Sequence, residues 1–168
     1  MEEFFDGLVV WLHVLAAVIY IGPQVFLFVA AVPAIRSIED AGQRARALRT
    51  VTTRFGWLGG GALVVLLATG IWNYYDVQDP LIDEEAFPRY YWLMAVKLAL
   101  VTVVIVLTVL HGALLGRRLQ RLQETNAPDA EIAQARRWSI VATSLTLVVS
   151  LAILFCAALL DSDWSKLS

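Results

Sequence analysis

Four long apolar stretches, separated by short polar segments, set the pattern along this chain. They cover about residues 5–34, 54–75, 90–116 and 136–160. Each is long enough for a helix that crosses a hydrocarbon layer about 30 Å thick, at about 1.5 Å per residue. The pattern predicts an all-α, polytopic membrane protein: a four-transmembrane-helix bundle forming a single domain over residues 1–168. Composition agrees, with 59% hydrophobic and 17% charged residues, where soluble domains carry about 25% charged. The polar remainder leaves no room for a separate soluble domain. The acidic opening MEEFFDG and the length of the first apolar run argue for a retained span and against a signal peptide. Cys156 is the one cysteine, so no internal disulfide is expected.

Charge adds an orientation. Ten of the thirteen basic residues lie between residues 36 and 54 or between 117 and 137. The acidic residues Glu2, Glu3, Asp6, Asp76, Asp79, Asp83, Glu84, Glu85, Asp161 and Asp163 lie at the opposite ends of the spans. The positive-inside rule then makes loops 35–53 and 117–135 cytoplasmic and both termini extracytoplasmic, in the plasma (inner) membrane of a prokaryote. The arginines read as helix flanks facing anionic lipid, not as a nucleic-acid surface. The expected partner is the lipid bilayer, with a homodimer as a further option.

Several local features shape the spans. Gly22-Pro23 predicts a kink in the first. Segment 35–53 has helical spacing, and is expected to lie at the membrane surface or to extend the helices. Gly56, Gly59, Gly60 and Gly61 predict a smooth face for close helix packing. They form no phosphate loop, because no preceding strand and no Lys-Ser/Thr ending accompany them. Tyr74, Tyr75, Tyr90, Tyr91 and Trp92 suit an interfacial belt. Asp79, Asp83, Glu84 and Glu85 lack calcium-loop spacing, but can collect cations. Ser139, Thr143, Thr146 and Ser150 share one helix face and are expected to bond the preceding turn or a neighbouring helix.

Ionisable residues inside spans are costly and therefore candidates for function. His13 and Lys97 both fall roughly 10–12 Å below the outer surface, counted at about 1.5 Å per residue. They can meet if the first and third spans touch. Lys97, Val104, Thr108 and His111 share a stripe, with His111 near the cytoplasmic side and Arg54 at similar depth on the second span. Two ligand chemistries follow. Neutral imidazole suits haem b, with His13 as axial ligand and Lys97, His111 or Arg54 near the porphyrin or its propionates. Soft donors suit Cu(I), with His13, Met94 and Cys156 as metal ligands. In the haem reading His13 and Lys97 are the candidate catalytic pair.

WLHVLAAVIYIGPQVFLFVAAVP resembles the first span of the CopD/HemJ-like superfamily of small integral membrane proteins, with His13, Tyr20 and Gly22 at its pattern positions. RFGWLGGGALVVLLATGIW resembles the second, with Thr69-Gly70 near its outer end. KLALVTVVIVLTVLHG resembles the next, with Lys97 as the characteristic lysine and His111 near the far end. The resemblance covers most of residues 8–118. It implies either haem-dependent protoporphyrinogen oxidation, using a histidine and lysine that match His13 and Lys97, or copper uptake and resistance. The chain departs from the oxidase pattern at Tyr20-Ile21-Gly22-Pro23 and in having no arginine from Gln24 to Ala31.

Three functions are therefore expected to compete. The first is a haem- or porphyrin-binding redox protein passing electrons to a membrane partner or quinone. The second is copper or small-solute binding and transport. The third is a non-catalytic membrane subunit. The chain carries no flavin or nicotinamide motif.

Overall fold

The computed structural model describes residues 1–77, 88–125 and 127–162. Asp79, Asp83, Glu84 and Glu85 of the acidic loop, and Asp163, lie outside the described residues. Among the described residues there is no strand. Four helical stretches are long and apolar enough to cross a membrane: Glu3–Arg36, Ala41–Tyr75, Arg89–Gly116 and Ala130–Asp161.

The chain divides into two compact units, Met1–Ile82 and Asp83–Ser168. In the first, α1 (Glu2–Phe26) continues through a π-helical segment, Leu27–Ala31, into α2 (Val32–Arg36). Pro23 lies inside α1 and has no N–H to donate to the preceding turn. The wider π-helical turn begins four residues later. A four-residue turn then leads into α3 (Ala41–Val77). This turn is closely bonded: the Asp40 carboxylate accepts from the Gln43 N–H at 2.6 Å, Ser37 donates to the Ala34 carbonyl, and Arg44 donates to the Ile38 carbonyl. Asp40 thus caps α3 through one of its first unpaired amides.

α1 and α3 pack antiparallel. Phe5 meets Trp72 edge-on with ring centroids 5.5 Å apart, and Phe26 meets Phe55 at 6.2 Å. Ala16, Tyr20 and Ala62 are buried. Small buried residues let the helix backbones approach, which suits packing inside lipid, where no hydrophobic force drives association.

The second unit pairs α4 (Pro88–Leu110) with α6 (Asp129–Asp161). Proline at the first position of α4 fits a helix start, where its missing N–H has no helical partner to lose. α4 runs into a second π-helical segment, His111–Gly116, and then α5 (Arg117–Glu124), which packs on α6. Leu93, Val104, Ala135, Thr146, Ser150 and Cys156 are buried. Outside both seams large apolar side chains stay exposed, Trp57 by 82% and Val29 by 74%. In water that surface would drive aggregation, whereas in a bilayer it is the normal lipid-facing exterior.

Segment 35–53 takes the second of its two expected forms: residues 41–53 extend the helix of the second span. One expectation needs revision. The glycine face is not generally close-packed. A Cβ at Gly59 would touch the Tyr20 ring at 4.0 Å, but at Gly56, Gly60 or Gly61 it would meet nothing within 4 Å. The serine and threonine stripe behaves as expected of hydroxyls in an apolar helix. Thr143, Thr146 and Ser150 donate to the carbonyls of Ser139, Ala142 and Thr146, four residues back.

Candidate functional site

The α1–α3 hairpin holds the best-defined polar cluster. His13 Nδ1 lies 2.8 Å from the Thr69 hydroxyl. That hydroxyl lies 2.7 Å from the Val65 carbonyl oxygen and 3.4 Å from that of Leu66. The hydroxyl has one proton, and a carbonyl only accepts. With that proton on the nearer carbonyl, Val65, the Thr69 oxygen accepts from a protonated His13 Nδ1; the other tautomer reverses the bond. For a neutral imidazole the first arrangement puts the lone pair on Nε2. A histidine fixed through one nitrogen, with its lone pair on the other, is the arrangement that prepares imidazole for a metal.

Gly70 completes the socket. A Cβ there would lie 3.3 Å from His13 Cε1 and 3.8 Å from Nδ1. This is the tightest approach to another helix made by any described glycine, so a side chain at position 70 would push on the ring. The antiparallel register explains the meeting. His13 lies seven residues in from Asp6, and Thr69 lies seven residues in from Asp76. The same depth count that pairs His13 with Lys97 would have pointed to Thr69. Two shallow grooves flank this end of the hairpin, one lined by Met1, Phe4, Phe5, Asp6 and Trp72, the other by Ala68, Ile71, Trp72 and Tyr75. Neither is lined by His13.

The α4–α6 hairpin holds the other candidates. The Lys97 amine and the buried Cys156 thiol are close enough to interact electrostatically. Met94 is half-buried on α4, one turn before Lys97. Val104, at the middle of the stripe that carries Lys97 and His111, is only 2% exposed, so that stripe faces protein at its centre. His111 opens the π-helical segment, and its Nδ1 is buried with no hydrogen-bond partner among the described residues. Gln24 Oε1 is likewise buried and unpartnered, while Gln24 Nε2 donates to the Tyr20 carbonyl at 3.0 Å. Arg54 is exposed on α3, beside Phe55 of the Phe26–Phe55 pair.

The predicted residues therefore fall in two groups. His13 and Arg54 belong to the first unit, while Lys97, Met94, His111 and Cys156 belong to the second. His13 and Thr69 come together, while Lys97 and Cys156 lie within electrostatic range of each other in the second hairpin. No group of three or more His, Cys, Asp or Glu residues able to hold a metal occurs among the described residues. Sequence reasoning did not assign Thr69 a role at His13, or foresee the Lys97–Cys156 approach. The second needs the helix phase of α6 relative to α4, which uniformly apolar spans do not encode.

A protein-family model described as copper resistance protein D matches residues 49–160. The match includes Thr69, Gly70, Lys97, His111 and Cys156, and begins after His13. No curated protein and no solved structure matches the chain.

Proposed function

The chain belongs to the copper resistance protein D family, and on that premise we propose that it binds copper as cargo within the membrane, with His13 as its principal ligand. The observation that supports this reading is the 2.8 Å hydrogen bond between His13 Nδ1 and the Thr69 hydroxyl, which fixes an intramembrane imidazole through one ring nitrogen, as histidine ligands of metals are fixed. Imidazole and sulfur donors suit copper, and especially Cu(I). Met94 and Cys156 are the sulfur donors of the second hairpin, and we assign them as further copper ligands there. The acidic segment before α4 serves as a collector of cations. The protein sits in the inner membrane of a prokaryote, with its arginine-rich ends cytoplasmic, as the charge asymmetry favours.

Haem b is the competing occupant, because the same imidazole would serve as an axial donor. In that case a quinone or membrane redox partner takes the electrons. The family description favours copper over this reading.

Purified full-length protein, expressed with ample copper and haem, separates the two. Metal analysis is expected to find stoichiometric copper that His13→Ala abolishes, with no Soret band. A b-type spectrum lost in His13→Ala would replace copper by haem. Absence of both would leave the role of a non-catalytic subunit.

A further inference from the structure

We propose that the arginine-bearing end of the second hairpin is a binding site for the phosphate headgroups of anionic phospholipids. Its residues are Arg117, Arg118 and Arg121 on α5 and Arg136 and Arg137 on α6. The proposal is independent of the copper reading.

All five guanidinium groups are exposed, and none makes a hydrogen bond or ion pair with the described residues. The first hairpin treats Arg44 differently, bonding it to the Ile38 carbonyl within its own turn. α5 and α6 are in contact, so five like charges share one end of a small unit. Arg117 and Arg121 are also four residues apart on one helix, a spacing at which like charges repel. Anions beside such a cluster relieve that repulsion; Glu124, Asp129 and Glu131 of the same segment supply three such charges against five.

The position of the cluster identifies the anion. Leu114, exposed by 60%, is three residues before Arg117. Trp138, exposed by 59%, directly follows Arg137, and Ile140 and Val141 are exposed beyond it. On both helices the arginines therefore begin where the lipid-facing apolar surface stops. Tryptophan favours the same boundary. That plane is where lipid phosphates lie. The basic chemistry also fits, because the chain has eleven arginines and two lysines, and neither lysine belongs to this cluster. A guanidinium fork donates two parallel hydrogen bonds to phosphate, where an ammonium offers a point charge. A soluble polyanion such as nucleic acid would have to approach along the membrane surface and compete with lipid already in place.

The test uses the full-length protein in zwitterionic detergent. Phosphatidylglycerol or phosphatidylcholine with matched acyl chains is added, and retained lipid is counted by native mass spectrometry. The expected result is preferential retention of phosphatidylglycerol, weakening about fivefold for each arginine replaced by glutamine. Replacing all five by lysine should keep part of the preference, and inorganic phosphate at equal concentration should not displace the lipid. Equal retention of the two lipids would overturn the proposal. So would unchanged phosphatidylglycerol retention in the variant with all five replaced by glutamine, or displacement by stoichiometric single-stranded DNA. Should that variant fail to fold by circular dichroism, Arg117→Gln/Arg118→Gln and Arg136→Gln/Arg137→Gln decide separately, each expected to weaken retention about 25-fold.

Discussion

Replacing Thr69 by valine keeps the shape of the side chain and removes the one atom that accepts from His13 Nδ1. In the native hairpin the sequence of bonds runs from His13 to the Thr69 oxygen at 2.8 Å and from Thr69 to the Val65 carbonyl at 2.7 Å. Valine leaves an imidazole N–H facing a methyl group, which costs about 1–3 kcal/mol if the proton stays there. The ring avoids that cost by moving the proton to Nε2 or by turning away, and either change withdraws the lone pair from the ligand. Loss of such an outer partner typically weakens metal binding about 10- to 100-fold, or about 1.4–2.8 kcal/mol. The assay is a Cu(I) competition titration against a chromophoric chelator, run for wild type, Thr69→Val, Thr69→Ser and His13→Ala. Thr69→Ser should bind within a few-fold of wild type, because its hydroxyl can make both bonds. Nitrogen NMR of labelled His13 should show Nδ1 protonated in wild type and a mixture of tautomers in Thr69→Val. Wild-type copper affinity in Thr69→Val, alongside loss in His13→Ala, would refute the argument that Thr69 prepares the ligand.

Gly70→Ala should lower copper affinity about tenfold by pressing on the His13 ring, while thermal unfolding shows no loss of helix stability, since alanine favours helix by about 1 kcal/mol over glycine. His111→Phe removes a buried nitrogen that has no partner among the described residues. It should raise stability in detergent by about 1–3 kcal/mol, and a lower melting temperature would show that the nitrogen is satisfied in the membrane. Ser150, only 2% exposed, sits in the α4–α6 seam. Ser150→Leu should destabilise by about 1–3 kcal/mol through overpacking, whereas Ser150→Ala should change the melting temperature little, because its hydroxyl only doubles an existing helical bond at the Thr146 carbonyl.

The spans themselves were legible because hydropathy over about 20 residues is a strong signal, and all four predicted stretches lie within helices that meet it. Their ends were not, since polar residues such as Gln43, Arg44 and Arg49 favour helix as well as the apolar run does. The helix therefore continues where hydropathy stops. Gly56, Gly60 and Gly61 look like a packing face by composition, yet the glycine that meets another helix most tightly is Gly70, beside a histidine. Small size permits close approach without saying which neighbour uses it. His13 and Lys97 stood out as ionisable residues in apolar runs, while Thr69 did not, because a threonine can satisfy its own hydroxyl on the preceding turn. Here it does so and still accepts from His13. The π-helical segments at Leu27–Ala31 and His111–Gly116 have no sequence signature beyond the nearby Pro23 and His111.

The continuity of α3 has a mechanical consequence. At about 1.5 Å per residue its 37 residues make a rod about 55 Å long, against a hydrocarbon layer of about 30 Å. Its apolar part begins near Phe55, so the excess lies at the arginine-rich end. The partner helical stretch of this hairpin, Glu3–Arg36, is almost as long. The bonded turn at Ser37–Asp40 therefore joins two helices that each outreach such a layer. Ends that outreach the layer must tilt within it or leave it, so a spin label on Ser37 and one on Thr53 would measure how much of α3 lies outside.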